Sequence, residues 1–562
     1  MKVSNSFALI LLVFLTGACA KQSTPMGGPK DEDPPKVLEM VPANQSTNIK
    51  PEEILITFDE FIELDNATKN IIITPRINKD EIEITALKNT LNIVLNQELE
   101  DNTTYVFNFQ NSVADLSEGN PVENLKLVFS TGNTIDSLSF SGGVNFYFSG
   151  QTEVFKDILV GIYPLSDTTN VFTAQPYYIS KSDSTGKFII NNIKPGQYKA
   201  YAWQDDNNNL KAEFKTEAFD FILDTISIEQ NLENVVFNLS KGDQTPLKLT
   251  RTAVTGQTFD LIFNKEPIDI DLSNPELGKS VFYTTGEKRI KLFSKTTVSD
   301  SLQFNINIKD SVGYQVDTAV WAKFPETERR PEKITISANS GKSFYQTLPI
   351  ELTFNKPLSL VNTDSLYIAY DTASRIQILP EMMSFEDSLQ RTKLLLKVPI
   401  PDSIAFEIFT IKAADSTFYD IEDQFNEKEF TANYKKLKRD ALADAVSGRI
   451  EGSDGPFIVQ LLDSKGEINR ELFLTNQDTF QFLLVEPGTY RIRIINDTNN
   501  NKRWDPANFS AGRYAEQVFY YVDPITGKKE IILRGGWTLE DQNIIVPPKT
   551  GVPNQEKSSV DN

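Results

Sequence analysis

The amino-acid sequence predicts an all-β protein in which tandem β-sandwiches follow an N-terminal export signal and a flexible tether. Short segments of alternating apolar and polar residues, such as Leu302–Ile308 and Tyr490–Ile495, are typical of half-buried strands. Asn, Asp, Gly and Pro interrupt these segments about every ten residues, as expected of sandwich strands. Blocks of sequence recur along the chain, which indicates repeated units. Helical periodicity is scarce, and Lys435–Val446 is the best candidate for one short helix or linker.

The composition argues against nucleic-acid binding and against catalysis. The 562 residues include 56 Lys and Arg against 77 Asp and Glu, which gives a net charge of −21. Binding to nucleic acid needs a basic surface instead. The sequence has no histidine, which removes the usual general base and the commonest zinc ligand. We therefore predict a protein that is not an enzyme and has no nucleic-acid partner.

The first element is an export signal over residues 1–18, followed by a Gly- and Pro-rich tether over 19–35. Lys2, an apolar stretch from Phe7 and small residues before Cys19 form the signal pattern. The apolar stretch is shorter than the roughly 20 residues that span a bilayer. Leu15-Thr-Gly-Ala-Cys19 resembles the lipobox of bacterial lipoproteins, with Thr16 where that motif usually has leucine. The resemblance implies a lipid on Cys19; the alternative is a secretory signal with an incidental cysteine.

Sandwich A is predicted over residues 36–133. Its early strand, Ile54–Phe58, alternates and ends in Phe, and the turn at Asp115 and Gly119-Asn120 suits side-chain oxygens and a positive φ. This block resembles the SbsA-type bacterial Ig-like domain, which implies an Ig-like sandwich. The matching segments are Val41–Asn44, Ile54–Phe58, Tyr105–Phe107, Val113–Asn120 and Phe129–Gly132.

Sandwiches B (134–242) and E (443–548) repeat each other. Ile193-Lys-Pro-Gly-Gln-Tyr198 recurs as Val485-Glu-Pro-Gly-Thr-Tyr490, a displacement of 292 positions between Pro195 and Pro487. Both blocks resemble prealbumin-like or carboxypeptidase-regulatory-like sandwiches. In those domains Pro-Gly-x-Tyr forms the turn into a late strand.

Sandwiches C (243–326) and D (327–442) are predicted from a looser repeat of the early strand of sandwich A. Each of the three strands ends in Phe followed by Asp or Asn, as in Phe58-Asp59, Phe263-Asn264 and Phe354-Asn355. These units are predicted to be Ig-like, and sandwich C keeps only this strand. In sandwich D, Tyr419–Asn426 is the counterpart of the turn in sandwich A. The polar tail 549–562 is predicted to be disordered.

Two loops carry oxygen-bearing side chains at positions 1, 3, 5 and 9, as at the start of an EF-hand calcium loop. Recurrence at identical spacing favours structural calcium as a cofactor, although neither loop has Gly at position 6 or Glu at position 12. The alternative is an Asn-rich turn held by its own side chains. The candidate ligands are Asp205, Asn207, Asn209 and Glu213 in one loop, and Asp497, Asn499, Asn501 and Asp505 in the other.

Trp203 and Trp504 flank these loops. An exposed indole beside a loop could stack on a sugar ring. The alternative, which we favour, is that each indole packs beneath its own loop.

Together these features predict a membrane-anchored, non-catalytic envelope lipoprotein that acts as an Ig-like scaffold, a rigid rod, or a binding protein. Its tether is similar to those of exported lipoproteins of Bacteroidota. This similarity implies lipid anchoring in the outer membrane. Surface lipoproteins of Bacteroidota tend to carry acidic residues directly after the cysteine, whereas the first acid after Cys19 here is Asp31. The choice between the periplasmic and the extracellular face stays open. Expected partners are envelope or outer-membrane proteins, with glycans as an alternative. Two alternatives are a carbohydrate-binding surface lipoprotein and an accessory subunit of an outer-membrane assembly or export machine.

Overall fold

The computed structural model describes residues 32–66, 70–148 and 155–547. The export signal, Cys19, most of the tether and the tail lie outside these residues. The chain forms two compact units. One holds the chain up to Ser139 with Tyr177–Ile179 and Ile190–Pro195; the other holds Phe140–Pro176, Ser180–Ile189 and the chain from Gly196 onward. Strands in many small sheets confirm the all-β prediction, and no helix among the described residues is long and apolar enough to cross a membrane.

Sandwich A has sheets in the orders β1-β2-β6-β5, β4-β7-β9 and β3-β8. Alternation in β2 sends Ile54, Ile56 and Phe58 into the core, where all three are fully buried. A 3₁₀ helix at Lys79–Glu81 precedes β5. The strands are β1 Val37–Val41, β2 Glu53–Phe58, β3 Ile62–Leu64, β4 Ile72–Thr74, β5 Ile82–Leu87, β6 Thr90–Leu95, β7 Thr104–Gln110, β8 Val113–Asp115 and β9 Leu125–Ser130.

Sandwich C has the same sheet order as sandwich A, although its sequence shares little more than the early strand. Its sheets run β18-β19-β22-β21 and β20-β23-β24. The strands are β18 Leu249–Thr255, β19 Thr258–Phe263, β20 Asp269–Ser273, β21 Val281–Gly286, β22 Arg289–Ser294, β23 Val298–Lys309 and β24 Gln315–Phe324.

Sandwich D repeats this plan with sheets β25-β27-β32-β31, β26-β35-β33-β29-β30 and β28-β34. Short 3₁₀ helices lie at Thr363–Ser365 and Pro380–Met382. The strands are β25 Ile336–Ala338, β26 Ser343–Phe344, β27 Thr347–Phe354, β28 Leu358–Val361, β29 Leu366–Ala369, β30 Arg375–Gln377, β31 Met383–Phe385, β32 Lys393–Pro399, β33 Ile408–Ala413, β34 Phe418–Asp420 and β35 Phe430–Lys436.

The segment Lys435–Val446 is a linker and not a helix of useful length. Strand β35 runs to Lys436, a 3₁₀ helix occupies Arg439–Ala441, and the next strand begins at Ala443. The apolar residues at its end belong to that strand, whose Ala443, Ala445 and Val446 are buried.

Sandwiches B and E share one topology. β10 pairs in parallel with β17, as β36 does with β43 and β44, and the long strands β14 and β40 each pair with two later short strands. The strands of B are β10 Leu138–Phe146, β11 Leu159–Pro164, β12 Tyr178–Lys181, β13 Lys187–Ile193, β14 Gly196–Trp203, β15 Phe219–Phe221, β16 Ile226–Ile228 and β17 Leu232–Leu239. Those of E are β36 Ala443–Glu451, β37 Phe457–Leu462, β38 Ile468–Leu474, β39 Thr479–Val485, β40 Gly488–Asn496, β41 Val518–Tyr520, β42 Glu530–Leu533, β43 Thr538–Leu539 and β44 Ile544–Ile545.

A buried lysine follows the Phe-Asn pair in sandwiches C and D. Lys265 forms an ion pair with Asp310, and Lys356 lies 2.5 Å from Asp420, with both partners almost fully buried. Removing one partner from such a pair costs about 3–5 kcal/mol, because the other charge is left buried and unpaired. Asp310 also accepts the Val312 N–H at 2.9 Å, which fixes the turn between β23 and β24.

Candidate functional site: the paired loops and the joint they form

The first loop begins where β14 ends and is held by its own side chains. The Asp205 carboxylate accepts the backbone N–H groups of Asn209 at 3.0 Å and Leu210 at 2.9 Å. Asn207 Oδ1 accepts the same Asn209 N–H at 3.0 Å, and Asn209 Oδ1 accepts the Lys211 N–H at 2.7 Å. The predicted residues are therefore brought together as nested Asx-turns.

The second loop, after β40, repeats these bonds. Asp497 accepts the N–H groups of Asn501 at 3.0 Å and Lys502 at 2.8 Å. Asn499 Oδ1 and Asn501 Oδ1 accept the N–H groups of Asn501 and Arg503, both at 3.1 Å. Since each bond reappears 292 positions later, the two loops share one conformation as well as one sequence pattern.

The acid at position 9 faces amide nitrogens in both loops. Asn207 Nδ2 and Asn209 Nδ2 donate to Glu213 Oε1 at 3.2 and 2.9 Å. In the second loop, Asn499 Nδ2 and Asn501 Nδ2 donate to Asp505 Oδ2 at 2.6 and 3.0 Å.

A calcium ion prefers oxygen ligands, but here the groups facing the carboxylate are N–H donors. Turning either amide would point its nitrogen at the backbone N–H that its oxygen now accepts. The side chains as placed therefore do not fit a cation and instead hold each loop closed. Among the described residues, no group of three or more Asp, Glu, His or Cys side chains is arranged to hold a metal ion.

A second buried acid supports each loop. Glu217 accepts the N–H groups of Asp206 at 2.9 Å and Glu213 at 2.8 Å. Glu516 accepts those of Thr498 at 2.7 Å and Asp505 at 3.1 Å. Burial raises the pKa of both carboxyl groups. The sequence pattern did not reveal this pairing because the acids lie 299 positions apart, which is seven more than the repeat of 292.

Those seven extra residues in the second loop form a contact with sandwich B. Phe509 lies among the rings of Phe172, Tyr201 and Phe221, at centroid distances of 5.1, 6.1 and 5.5 Å. Gln244, at the start of sandwich C, donates from Nε2 to the Ala507 carbonyl at 2.9 Å and accepts the Phe509 N–H at Oε1 at 3.0 Å. The paired bonds fix the loop backbone while the ring fills an aromatic pocket.

The same loop contacts sandwich C. Asn508 Nδ2 and Arg513 Nη2 both donate to the Val312 carbonyl, at 3.1 and 2.6 Å. Arg503 binds Asp269 with two nitrogens, and its Nη2–Oδ2 distance is 2.9 Å. We call residues 503–514 with these contacts the joint. Within its compact unit, sandwich E therefore contacts sandwiches B and C, although sandwich D lies between C and E in the sequence.

The two tryptophans do not offer the predicted stacking surface. Trp203 is fully buried, so the prediction of ligand stacking is wrong for this residue and the packing alternative holds. Trp504 is half-buried; Phe148 meets its ring edge-on at 4.5 Å, and its Nε1 donates to the Glu516 carbonyl at 2.9 Å. Trp504 therefore packs at the joint and not only beneath its own loop.

A half-buried aspartate lies beside the joint on β15. Asp220 accepts the N–H groups of Asn238 at 2.7 Å and Phe221 at 2.9 Å, and burial raises its pKa to about 7. Tyr514 stacks on Phe221 at 5.4 Å and its hydroxyl accepts the Leu223 N–H at 2.8 Å. Burial and the charge of Asp220 raise the pKa of Tyr514.

Two concave surfaces lie elsewhere in this unit. A groove of about 920 Å³ on sandwich E is lined by residues that include Arg449, Phe473 and Asn543. A cleft of about 590 Å³ is lined by Asp271 and Asn307 of sandwich C and by residues 387 and 390 of sandwich D.

Comparison with known protein families identifies two segments. Residues 31–131 match the bacterial Ig-like domain, in agreement with the resemblance of sandwich A. Residues 156–211, within sandwich B, match domain II of polysaccharide lyase family 4. No curated protein matches the chain.

Similarities to solved structures are weak. Dimeric latent PorU from Porphyromonas gingivalis is 10% identical, with 54% of this chain and 36% of that chain covered and a TM-score of 0.24. Surface layer protein SbsC, domains 1–6, is 12% identical, with 89% of this chain and 66% of that chain covered and a TM-score of 0.16. SGBP-B of Bacteroides ovatus, solved with a mixed-linkage heptasaccharide, is 11% identical, with 63% of this chain and 89% of that chain covered and a TM-score of 0.16. These TM-scores do not support a functional argument.

Proposed function

We propose that this chain is a non-catalytic envelope lipoprotein held at the outer membrane by a lipid on Cys19, in which sandwiches B, C and E form an interlocked scaffold. The joint is the observation that carries the scaffold role. Its contacts involve aromatic packing around Phe509, the paired bonds of Gln244 and the two-nitrogen contact of Arg503 with Asp269. Such contacts resist the relative motion of sandwiches that a string of independent domains would allow.

The non-catalytic part of the proposal rests on what the loop carboxylates do. Asp205, Asp497, Glu217 and Glu516 all accept backbone N–H groups and so stabilise the loops. Because these carboxylates already accept backbone hydrogen bonds, we assign them a structural role and no role as a general acid or base. Partners of the scaffold would then be envelope or outer-membrane proteins that bind its surfaces.

The anchor is supported by the position of Cys19 after a short apolar stretch and before a polar tether. Its test is metabolic labelling with radioactive palmitate of cells that express the wild-type chain or Cys19→Ser. We expect label and membrane association in the wild type only, because several acyl chains hold a protein on a bilayer. Label on the variant, or an unlabelled wild-type chain, would refute the anchor. Protease treatment of intact cells then identifies the membrane face.

A further inference from the structure

The outward face of sheet β20-β23-β24 is mostly polar. Alternation in β23 buries Phe304, Ile306 and Ile308 and turns the residues between them outward. The outward residues of β23 are Gln303, Asn305, Asn307 and Lys309. Their cross-strand neighbours on the same face are Ser273, Asp271 and Asp269 of β20, and Trp321, Ala319, Asp317 and Gln315 of β24.

One end of this face carries an exposed indole. Trp321 lies directly opposite Gln303 and is 59% exposed. In the described part of the chain, β24 pairs with β23 alone, so Trp321 stands on an edge strand. A small side chain, Ala319, follows on the same face, which leaves the indole accessible from the side of Asn305.

The other end of the face opens into the cleft of about 590 Å³ described above. Asp271, Asn307 and Lys309 belong to both the face and the cleft. Tyr283 and Gln390 add a hydroxyl and an amide, and Gln390 Nε2 donates to Asp387 at 3.0 Å. From residue 303 to residue 309 the face extends about 20 Å along the strand, which is long enough for a chain of several sugar rings.

We infer that this face binds a neutral oligosaccharide. The indole of Trp321 would stack on one sugar ring, since aromatic faces bind the apolar face of a ring. The amides of Asn305 and Asn307 and the carboxylate of Asp271 present both donors and acceptors to hydroxyl groups. Asp269 is paired with Arg503, and the remaining acids on the face, Asp271 and Asp317, outnumber Lys309, so the face repels acidic ligands. An uncharged ligand meets no such repulsion. This adds a ligand to the proposed scaffold and does not depend on the lipid anchor.

Affinity electrophoresis tests the inference. The full-length chain, in mild detergent, is run in native gels that contain barley β-glucan, xylan or yeast mannan. We expect at least one polysaccharide to retard the wild type. Trp321→Ala should weaken the association about tenfold or more, the loss expected when an aromatic stacking contact is removed. Asn305→Ala, a smaller change at an exposed position, should weaken it several-fold, which guards against an effect of misfolding.

The matched control is Trp537→Ala. Trp537 is 44% exposed, lies on sandwich E and stacks against Arg534 at 5.0 Å. It should leave retardation unchanged, and Cys19→Ser should bind as the wild type does. If none of the three polysaccharides retards the wild type, or if Trp321→Ala is retarded equally, the inference is overturned.

Discussion

The side chains of the two Asx loops make the same hydrogen bonds to the backbone in both copies of the repeat, so each loop holds its own conformation. The eight Asx-loop residues were found by spacing alone, and the structure brings each set together, because a pattern repeated 292 positions apart encodes one local conformation. Glu516 was missed, since a seven-residue extension shifts it out of that repeat. Sequence does not show which face of a strand end is buried, so stacking on a ligand stayed open for Trp203 beside the favoured alternative of packing, and its full burial decides for packing. Lys265 and Lys356 each follow a Phe-Asn pair directly. This repeated Phe-Asn-Lys pattern is a sequence signal for the buried ion pairs that both lysines form.

The pH dependence of stability is a prediction at this scale. Burial raises the pKa of Asp220 from its ordinary 3.8 to about 7. Between these values the folded protein holds a proton that the unfolded chain releases, so stability falls as pH rises. The stabilisation is complete below pH about 4 and lost above pH about 7. Urea unfolding at pH 5 and pH 8 should therefore show a loss of stability on going to pH 8.

Asp220→Asn separates this effect from other titrations. The variant cannot ionise, so its loss of stability between pH 5 and pH 8 should be smaller, even if it is less stable at both values. Tyr147 and Tyr514 lie near Asp220 but have raised pKa values and stay protonated over this range. An equal loss in wild type and variant would contradict the role of Asp220.

At the scale of elements, the loops behave as closed turns whose amide groups take the place of a cation. Asn499 and Asn501 donate to Asp505 where calcium would need oxygen. We therefore expect the melting temperature of sandwich E to be the same in chelator and in millimolar calcium. A higher melting temperature in calcium than in chelator would instead support the prediction that these loops bind calcium.

A double variant serves as the matched control for that measurement. Asn499→Asp with Asn501→Asp replaces two donors by carboxylate oxygens beside Asp505. Repulsion among the three acids should lower the melting temperature in chelator, and calcium should raise it again. Thermal melts followed by circular dichroism in both buffers measure the two effects.

Strand patterns were more informative than strand pairing. Alternation identified the early strands of sandwiches A, C and D, because core burial imposes a period of two on any such strand. The shared order of sheets β1-β2-β6-β5 and β18-β19-β22-β21 was not visible, since pairing between distant strands leaves little trace in one sequence. Lys435–Val446 forms a linker and not an α-helix, because its last residues pair in strand β36.

At the scale of the molecule, order along the chain does not determine which sandwiches touch. Residues near 508 bind the Val312 carbonyl and Gln244, some 200 and 260 positions earlier. These contacts depend on side chains spread over three sandwiches, such as Phe221 of B, Gln244 of C and Phe509 of E. No local pattern marks them, and only the structure shows that the extension in the second loop has a partner.

The joint predicts cooperative unfolding of sandwiches B, C and E. Phe509→Ala removes a half-buried ring from an aromatic pocket and should cost roughly 2 kcal/mol, less than for a fully buried phenylalanine. In scanning calorimetry we expect sandwich E to melt in a separate transition at lower temperature in this variant. Ile525→Ala, in the same sandwich at a residue 92% exposed, should leave the wild-type transition unchanged. Phe509 lies in no strand of sandwich E. If Phe509→Ala instead melted in one transition at a lower temperature, sandwiches B, C and E would still unfold together, and the role of this ring in attaching E to B would be contradicted.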